Sequence, residues 1–222
     1  SHEYGLTYKE IENDGFKIDE KVEMLLSSNT PSGIVKSMGL GLILFSDALS
    51  RLNPDLLVVL GDRFEAFAAA QSAMFLRIPI LHIHGGEITE GAYDGSIRHA
   101  ITKLSHIHCV STEESRDRVI QLGEPPNNVF NVGAIGLDHL HKTNLLSLNE
   151  LCNSINFNIN SPYFVVTYHP ATLADEDPLE SFDNLLKALD KFLDFQLIIT
   201  FPNADDGSNK IADLIKVYTK NN

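Results

Sequence analysis

Apolar runs of four or five residues recur along the chain, and a polar cluster and a stretch of helical periodicity follow most of them. Leu56-Leu57-Val58-Val59-Leu60 is continuously apolar, as expected of a strand buried on both faces of a sheet. Comparable runs occupy residues 80–84, 107–110, 129–132, 163–167 and 196–200. Residues 63–76, 96–104, 113–122, 179–192 and 210–218 carry helix-length patterns, and Gly123 is placed to end the third of them. Upstream, residues 19–26 read as a short amphipathic helix. Residues 32–52 read as a longer one, with Ile34, Met38, Leu42, Phe45, Leu49 and Leu52 on one apolar face and Gly39 and Gly41 interrupting it. Strands alternating with helices of this length predict βαβ units and parallel sheets, an α/β fold of Rossmann type.

The periodicity weakens between about residues 141 and 161, which are rich in Asn and Ser. The pattern therefore predicts a Rossmann-like domain over residues 1–142 and a linker over 143–160, with some helix at 146–151. A second Rossmann-like domain begins over 161–222. Two strands in that last segment do not complete a sheet.

Composition narrows the function classes. An apolar fraction of 43% supports a sizeable core, and a formal charge of −13 argues against nucleic acid, which needs a basic surface to displace counterions. The same balance disfavours anionic membranes, while local positive charge stays compatible with a phosphate ligand. Cys109 and Cys152 form neither a CxxC pair nor a disulfide framework. Residues 1–10 lack the apolar core of a signal peptide, and no uninterrupted apolar stretch approaches a membrane span. A soluble, cytoplasmic protein is expected.

In a parallel α/β sheet the carboxyl ends of the strands open on one crevice, so the clusters after each apolar run are the candidates for chemistry. Asp62 and Arg63 follow the first run directly. Asp62 reads either as an N-cap or as a carboxylate at the crevice floor, and Arg63 offers a forked donor set suited to phosphate. His82 and His84 alternate along one strand and so share a face, with Gly85-Gly86 admitting close approach by a ligand and Glu87 next. A metal pair and a buried, internally satisfied histidine are both open readings there. Asp94 and Ser96 are cap candidates for the following helix. Arg98 sits in its first turns, where a cation is disfavoured unless an anion lies nearby. Lys103 reads as a solvated side chain. His169 before Pro170 ends the first strand of the second segment, and Asn203 occupies the equivalent place one unit later. Ordinary turn chemistry is the alternative for both.

Taken together, Val59-Leu60-Gly61-Asp62-Arg63-Phe64-Glu65, Leu81-His82-Ile83-His84-Gly85-Gly86-Glu87 and the run from Asp94-Gly95-Ser96-Ile97-Arg98-His99 to Lys103 resemble the hydrolysing UDP-N-acetylglucosamine 2-epimerases. Ser111-Thr112-Glu113-Glu114, Gln121-Leu122-Gly123-Glu124, Tyr168-His169-Pro170 and Asn203-Ala204-Asp205 extend the resemblance over essentially the whole chain. It implies a glycosyltransferase-B-like architecture, with a UDP-sugar between two Rossmann-type domains, and a reaction without redox cofactor or metal. UDP is eliminated across C1 and C2 to leave a glycal, and water adds with inversion at C2 to give N-acetylmannosamine. By position, Asp62 and Asp94 match the family's catalytic acids, Arg63 a UDP contact, His169 a contact near the diphosphate, and Asn203 a contact in the nucleotide domain. Many relatives carry a catalytic Glu where this chain has His84, so either His84 or Glu87 takes that proton transfer.

The resemblance also implies a homodimer, for which residues 32–52 are a candidate contact, although a core helix explains them too. The family's N-terminal Gly-x-Arg-Ala-Glu-like loop and C-terminal Ser-Ser-x-x-x-Glu segment do not occur between Ser1 and Asn222. The 222 residues are therefore expected to be the middle of a longer enzyme, with little turnover by themselves. Within the family the rivals are a hydrolysing UDP-N,N'-diacetylbacillosamine 2-epimerase and a non-hydrolysing epimerase. Outside it they are a metal-dependent phosphoesterase built on Asp62, His82 and His84, and a non-catalytic nucleotide-sugar-binding domain.

Overall fold

The computed structural model describes residues 6–28, 30–169, 177–202 and 208–221, and the chain divides into two compact units, Ser1–Gly136 and Leu137–Asn222. In the first unit, α1 (Tyr8–Asn13) and α2 (Pro31–Leu52) precede an alternation of β1 (Leu57–Leu60), α3 (Phe64–Phe75), β2 (Ile80–Ile83), α4 (Asp94–Leu104), β3 (Ile107–Val110), α5 (Glu113–Gln121) and β4 (Val129–Asn131). The four strands form one parallel sheet in the order β1-β2-β3-β4. Pairing of Leu60 with Ile83, Ile83 with Cys109 and Val110 with Asn131 brings their carboxyl ends into line.

Local chemistry sets the helix limits. Thr30 caps α2 by accepting from Gly33 N, Pro31 begins the helix, and Asn53 ends it in the left-handed region. Thr112 caps α5 by accepting from Ser115 N, with Glu113 and Glu114 in the first turn where the helix dipole favours anions. The core joins Leu49, Val59, Ala70, Ala73, Ile78, Ile80 and Ile101. Alanines at 68, 69, 70 and 73 are buried and let α3 lie close to its neighbours.

Three expectations change on contact with the structure. Residues 19–26 form no helix: burial alternates through Ile18, Glu20, Val22 and Met24, the period of an extended chain, and Met24 seats against α2 and α3. The helix expected at 32–52 forms, but its most buried face runs through Gly33, Ser37, Gly41, Ala48 and Leu49, while Leu42 and Leu52 are exposed. Gly41 is where Met24 and Ala68 come closest: a Cβ there would meet Met24 Cε at 2.7 Å. Finally, β1 is an edge strand whose Val58 and Leu60 are each 54% exposed, so only its inner side is covered.

Helix α2 also has the length and composition of a membrane span. One of its faces packs against α3, while Val35, Leu40, Ile43 and Leu52 on the rest of it are exposed.

The second unit contains α6 (Asp138–Lys142), α7 (Leu148–Ile155), β5 (Tyr163–Val166), α8 (Pro178–Leu189), β6 (Gln196–Ile199) and α9 (Ser208–Asn221). Strands β5 and β6 pair in parallel. Phe182, Leu186, Ile211 and Ile215 form its core. Helix α7 starts at a capping box in which Ser147 and Glu150 satisfy each other's backbone amides, which shifts the helix two to four residues beyond the stretch 146–151.

Candidate active site

The polar residues that follow β1, β2 and β3 meet at the aligned strand ends. Asp62 does not cap α3; Arg63 holds that position and makes no side-chain cap. Instead Asp62 Oδ2 accepts from Arg98 Nη2 of α4. The Arg98 side chain is 8% exposed and that of Asp62 21%, so the pair is largely withdrawn from water. Nη2 also donates to Thr89 Oγ1 at 3.1 Å. The anion that Arg98 calls for so near a helix start is thus Asp62. Arg98 Nε and Nη1 remain buried with no partner among the described residues, a costly state unless a ligand supplies acceptors.

His82 and His84 do not share a face. His82, the third residue of β2, is fully buried. Gly61 O only accepts, so His82 Nε2 carries the proton and donates to it at 2.8 Å, and Nδ1 accepts from the Thr102 hydroxyl at 3.1 Å. Burial drives the His82 pKa down to about 4, so the neutral ring ties β1 to α4 and takes no ligand. His84 lies just beyond the strand with φ +62. Its amide still donates to Cys109 O at 2.9 Å, but the left-handed backbone turns its side chain away from the face that His82 uses.

That turn delivers His84 to Glu87. His84 Nδ1 lies 2.7 Å from Glu87 Oε1, and Ser111 Oγ donates to the same oxygen at 2.6 Å. Burial pushes the Glu87 carboxyl up. Hydrogen bonds from Ser111 and His84, with the charges of His84 and Arg98, outweigh it and hold the group below its ordinary value. The influence of Arg98 on Glu87 joins the two pairs into one electrostatic cluster.

Packing alone requires glycine at 85 and 86. A Cβ on Gly86, whose φ is +81, would lie 2.3 Å from Ser115 O, and one on Gly85 would lie 3.0 Å from His82 Nδ1 and Thr102 Oγ1. Arg118 Nη1 donates to Gly86 O and holds the loop to α5.

Asp94 is the first residue of α4, where a carboxylate is favoured by the helix start. Arg63 is half-exposed, with Nε 3.4 Å from Glu65 Oε2. Lys103 is exposed, as expected, and its amino group pairs with Glu124, which also meets the buried His108 at 3.2 Å. His169 is exposed, three residues past β5 in the second unit. Asn203 and Pro170 lie outside the described residues. Among the described residues no group of three or more His, Cys, Asp or Glu is arranged around a metal position. With both nitrogens of His82 engaged internally, the phosphoesterase reading loses its central ligand.

The family profile described as UDP-N-acetylglucosamine 2-epimerase matches residues 1–222. The chain belongs to the UDP-N-acetylglucosamine 2-epimerase family. Within that family it is 40% identical over 222 residues to a hydrolysing GDP/UDP-N,N'-diacetylbacillosamine 2-epimerase of Campylobacter jejuni, covering all of this chain and 58% of that protein. It is 40% identical over 218 residues to the polysialic acid biosynthesis protein P7 of Escherichia coli, covering 98% of this chain and 56% of the other. The crystal structure of a Neisseria meningitidis UDP-GlcNAc 2-epimerase bound to UDP-GlcNAc superposes with a TM-score of 0.72 at 21% identity, covering 93% of this chain and 57% of that one. The chain therefore spans just over half the length of these relatives, and its fold is glycosyltransferase-B-like, with Rossmann-type parallel sheets.

Some side chains that hold this cluster together carry no signal in the sequence. Thr89, Thr102 and Arg118 look like ordinary loop and helix residues, and only tertiary contact gives them roles. Ser111 had a signal: it is the first polar residue after β3, the strand next to β2, and so was bound to stand beside whatever β2 delivers.

Proposed function

We propose that this chain carries the catalytic half-site of a hydrolysing 2-epimerase for UDP-linked 2-acetamido sugars. What supports this is the cluster at the ends of β1, β2 and β3, where Asp62, His84, Glu87 and Arg98 gather with unpaired guanidinium donors still available. Abstracting the weakly acidic C2 proton needs a base held near the sugar, and rehydrating the glycal needs an acid. Asp62, Asp94 and the His84–Glu87 pair supply those groups, while Arg98 offers donors to substrate oxygens. By their match to the family's motifs, Arg63, His169 and Asn203 are each assigned to the UDP moiety. The soluble, cytoplasmic homodimer expected from the sequence is part of this proposal.

UDP-N-acetylglucosamine is the first substrate to try. UDP-N,N'-diacetylbacillosamine is the second, favoured by the name of the Campylobacter relative. The test is to express the full reading frame that encodes this chain, incubate it with each nucleotide sugar, and follow products by NMR. Release of UDP with a free 2-epimer is expected. A UDP-linked 2-epimer without UDP release would replace the hydrolysing reading by the non-hydrolysing one, and no reaction with either sugar would overturn the proposal.

A further inference from the structure

We propose that His84 Nε2 is the atom that takes the C2 proton, and that Glu87 and Ser111 are positioning residues that hold His84 in the tautomer this requires. The inference rests on the epimerase reading above and assigns one step within it. The Glu87 carboxylate can only accept, so the short contact at 2.7 Å places the proton of neutral His84 on Nδ1. Nε2 then keeps its lone pair, and no described residue engages it. Ser111 anchors the same carboxylate oxygen from β3 at 2.6 Å, so the orientation of the imidazole is fixed from two strands.

The backbone points the same way. A non-glycine residue at φ +62 costs about 1–2 kcal/mol, and such strain persists where the surrounding structure imposes it. An extended His84 would lie on the face of β2 that His82 fills, away from Glu87. The strain therefore separates a structural histidine from a reactive one only two residues apart.

In the proposed step the C2–H bond breaks and its proton passes to Nε2. The electron pair of that bond forms the C1=C2 double bond, the C1–O bond breaks, and UDP leaves with the C1–O pair. The imidazolium so formed faces the Glu87 carboxylate and later releases its proton to solvent. Glu87 thus acts through His84 and does not itself meet the sugar. This explains how a histidine can stand where relatives carry a carboxylate.

The test uses the full-length enzyme. In its 15N spectrum, neutral His84 is expected almost wholly as the Nδ1–H tautomer, whereas free imidazole prefers Nε2–H. Glu87→Leu removes the acceptor and leaves the ring free to return to the Nε2–H tautomer. With folding verified by circular dichroism, kcat is expected to fall about 100-fold or more, as when a triad loses the tautomer its carboxylate holds, with KM changed less than about threefold. Ser111→Ala is expected to lower kcat about tenfold in the same sense. An Nε2–H tautomer in the wild type, or an unchanged kcat in Glu87→Leu or His84→Ala, overturns the assignment while the epimerase reading stands. A wild-type enzyme that releases UDP from neither sugar overturns the epimerase reading and the proton-transfer role with it. The tautomer measurement then decides separately whether Glu87 positions the ring.

Discussion

Lowering the pH should destabilise the first unit through His82. The ring is buried and neutral, with a folded-state pKa of about 4 against about 6.5 for an unfolded chain. Between these values the unfolded state binds a proton that the folded state refuses. Stability is therefore intact above pH 6.5 and falls as the pH drops toward 4. The slope is about 1.4 kcal/mol per pH unit, which gives a loss of about 2 kcal/mol on going from pH 7.5 to 5 and about 3 kcal/mol when complete. His108 and His99 are also lowered, chiefly by burial, so the measurement must be a difference. Urea melts followed by circular dichroism, suited to a chain without tryptophan, are compared at both pH values for wild type and His82→Gln. The variant keeps a donor for Gly61 O but does not titrate, so its pH dependence should be smaller by about 2 kcal/mol. Equal pH dependence in the two proteins, or NMR showing the His82 ring protonated at pH 5.5, would refute the reasoning.

Three further outcomes are expected. Asp62→Asn should lower kcat for UDP release about 100-fold or more with the fold retained; a rate within twofold of wild type removes Asp62 from the chemistry. Arg98→Met leaves the Asp62 charge uncompensated and should cost about 3 kcal/mol in urea melts, with a loss under about 1 kcal/mol counting against a structural ion pair. Gly86→Ala forces a methyl against Ser115 O at positive φ and should cost about 2 kcal/mol or more; a neutral result would mean that the loop lies elsewhere.

The alternation of strand and helix was legible because each buried run is short, apolar and bounded by polar or turn residues. The site was legible only as far as position along a strand reveals it. Asp62 and Arg98 lie 36 residues apart, and nothing local announces that they pair. His82 and His84 obey the two-residue period of a strand, yet the strand stops at Ile83 because the sign of one φ changes at His84, which sequence pattern does not encode. Ile18, Val22 and Leu25 fit helical spacing, as Ile18, Val22 and Met24 fit extended spacing. The extended form wins because Met24 finds its pocket at Gly41, a residue that reads by itself as a flaw in α2.

The outer side of β1 has a consequence for handling the protein. Among the described residues β1 has a neighbouring strand on one side only and carries two half-bare aliphatic side chains, and a border strand of that kind is a template for another strand. Preparations of this 222-residue chain should therefore self-associate as concentration rises. A lysine in place of Val58 is the least invasive way to keep them dispersed, since it adds charge where no described core residue would be displaced.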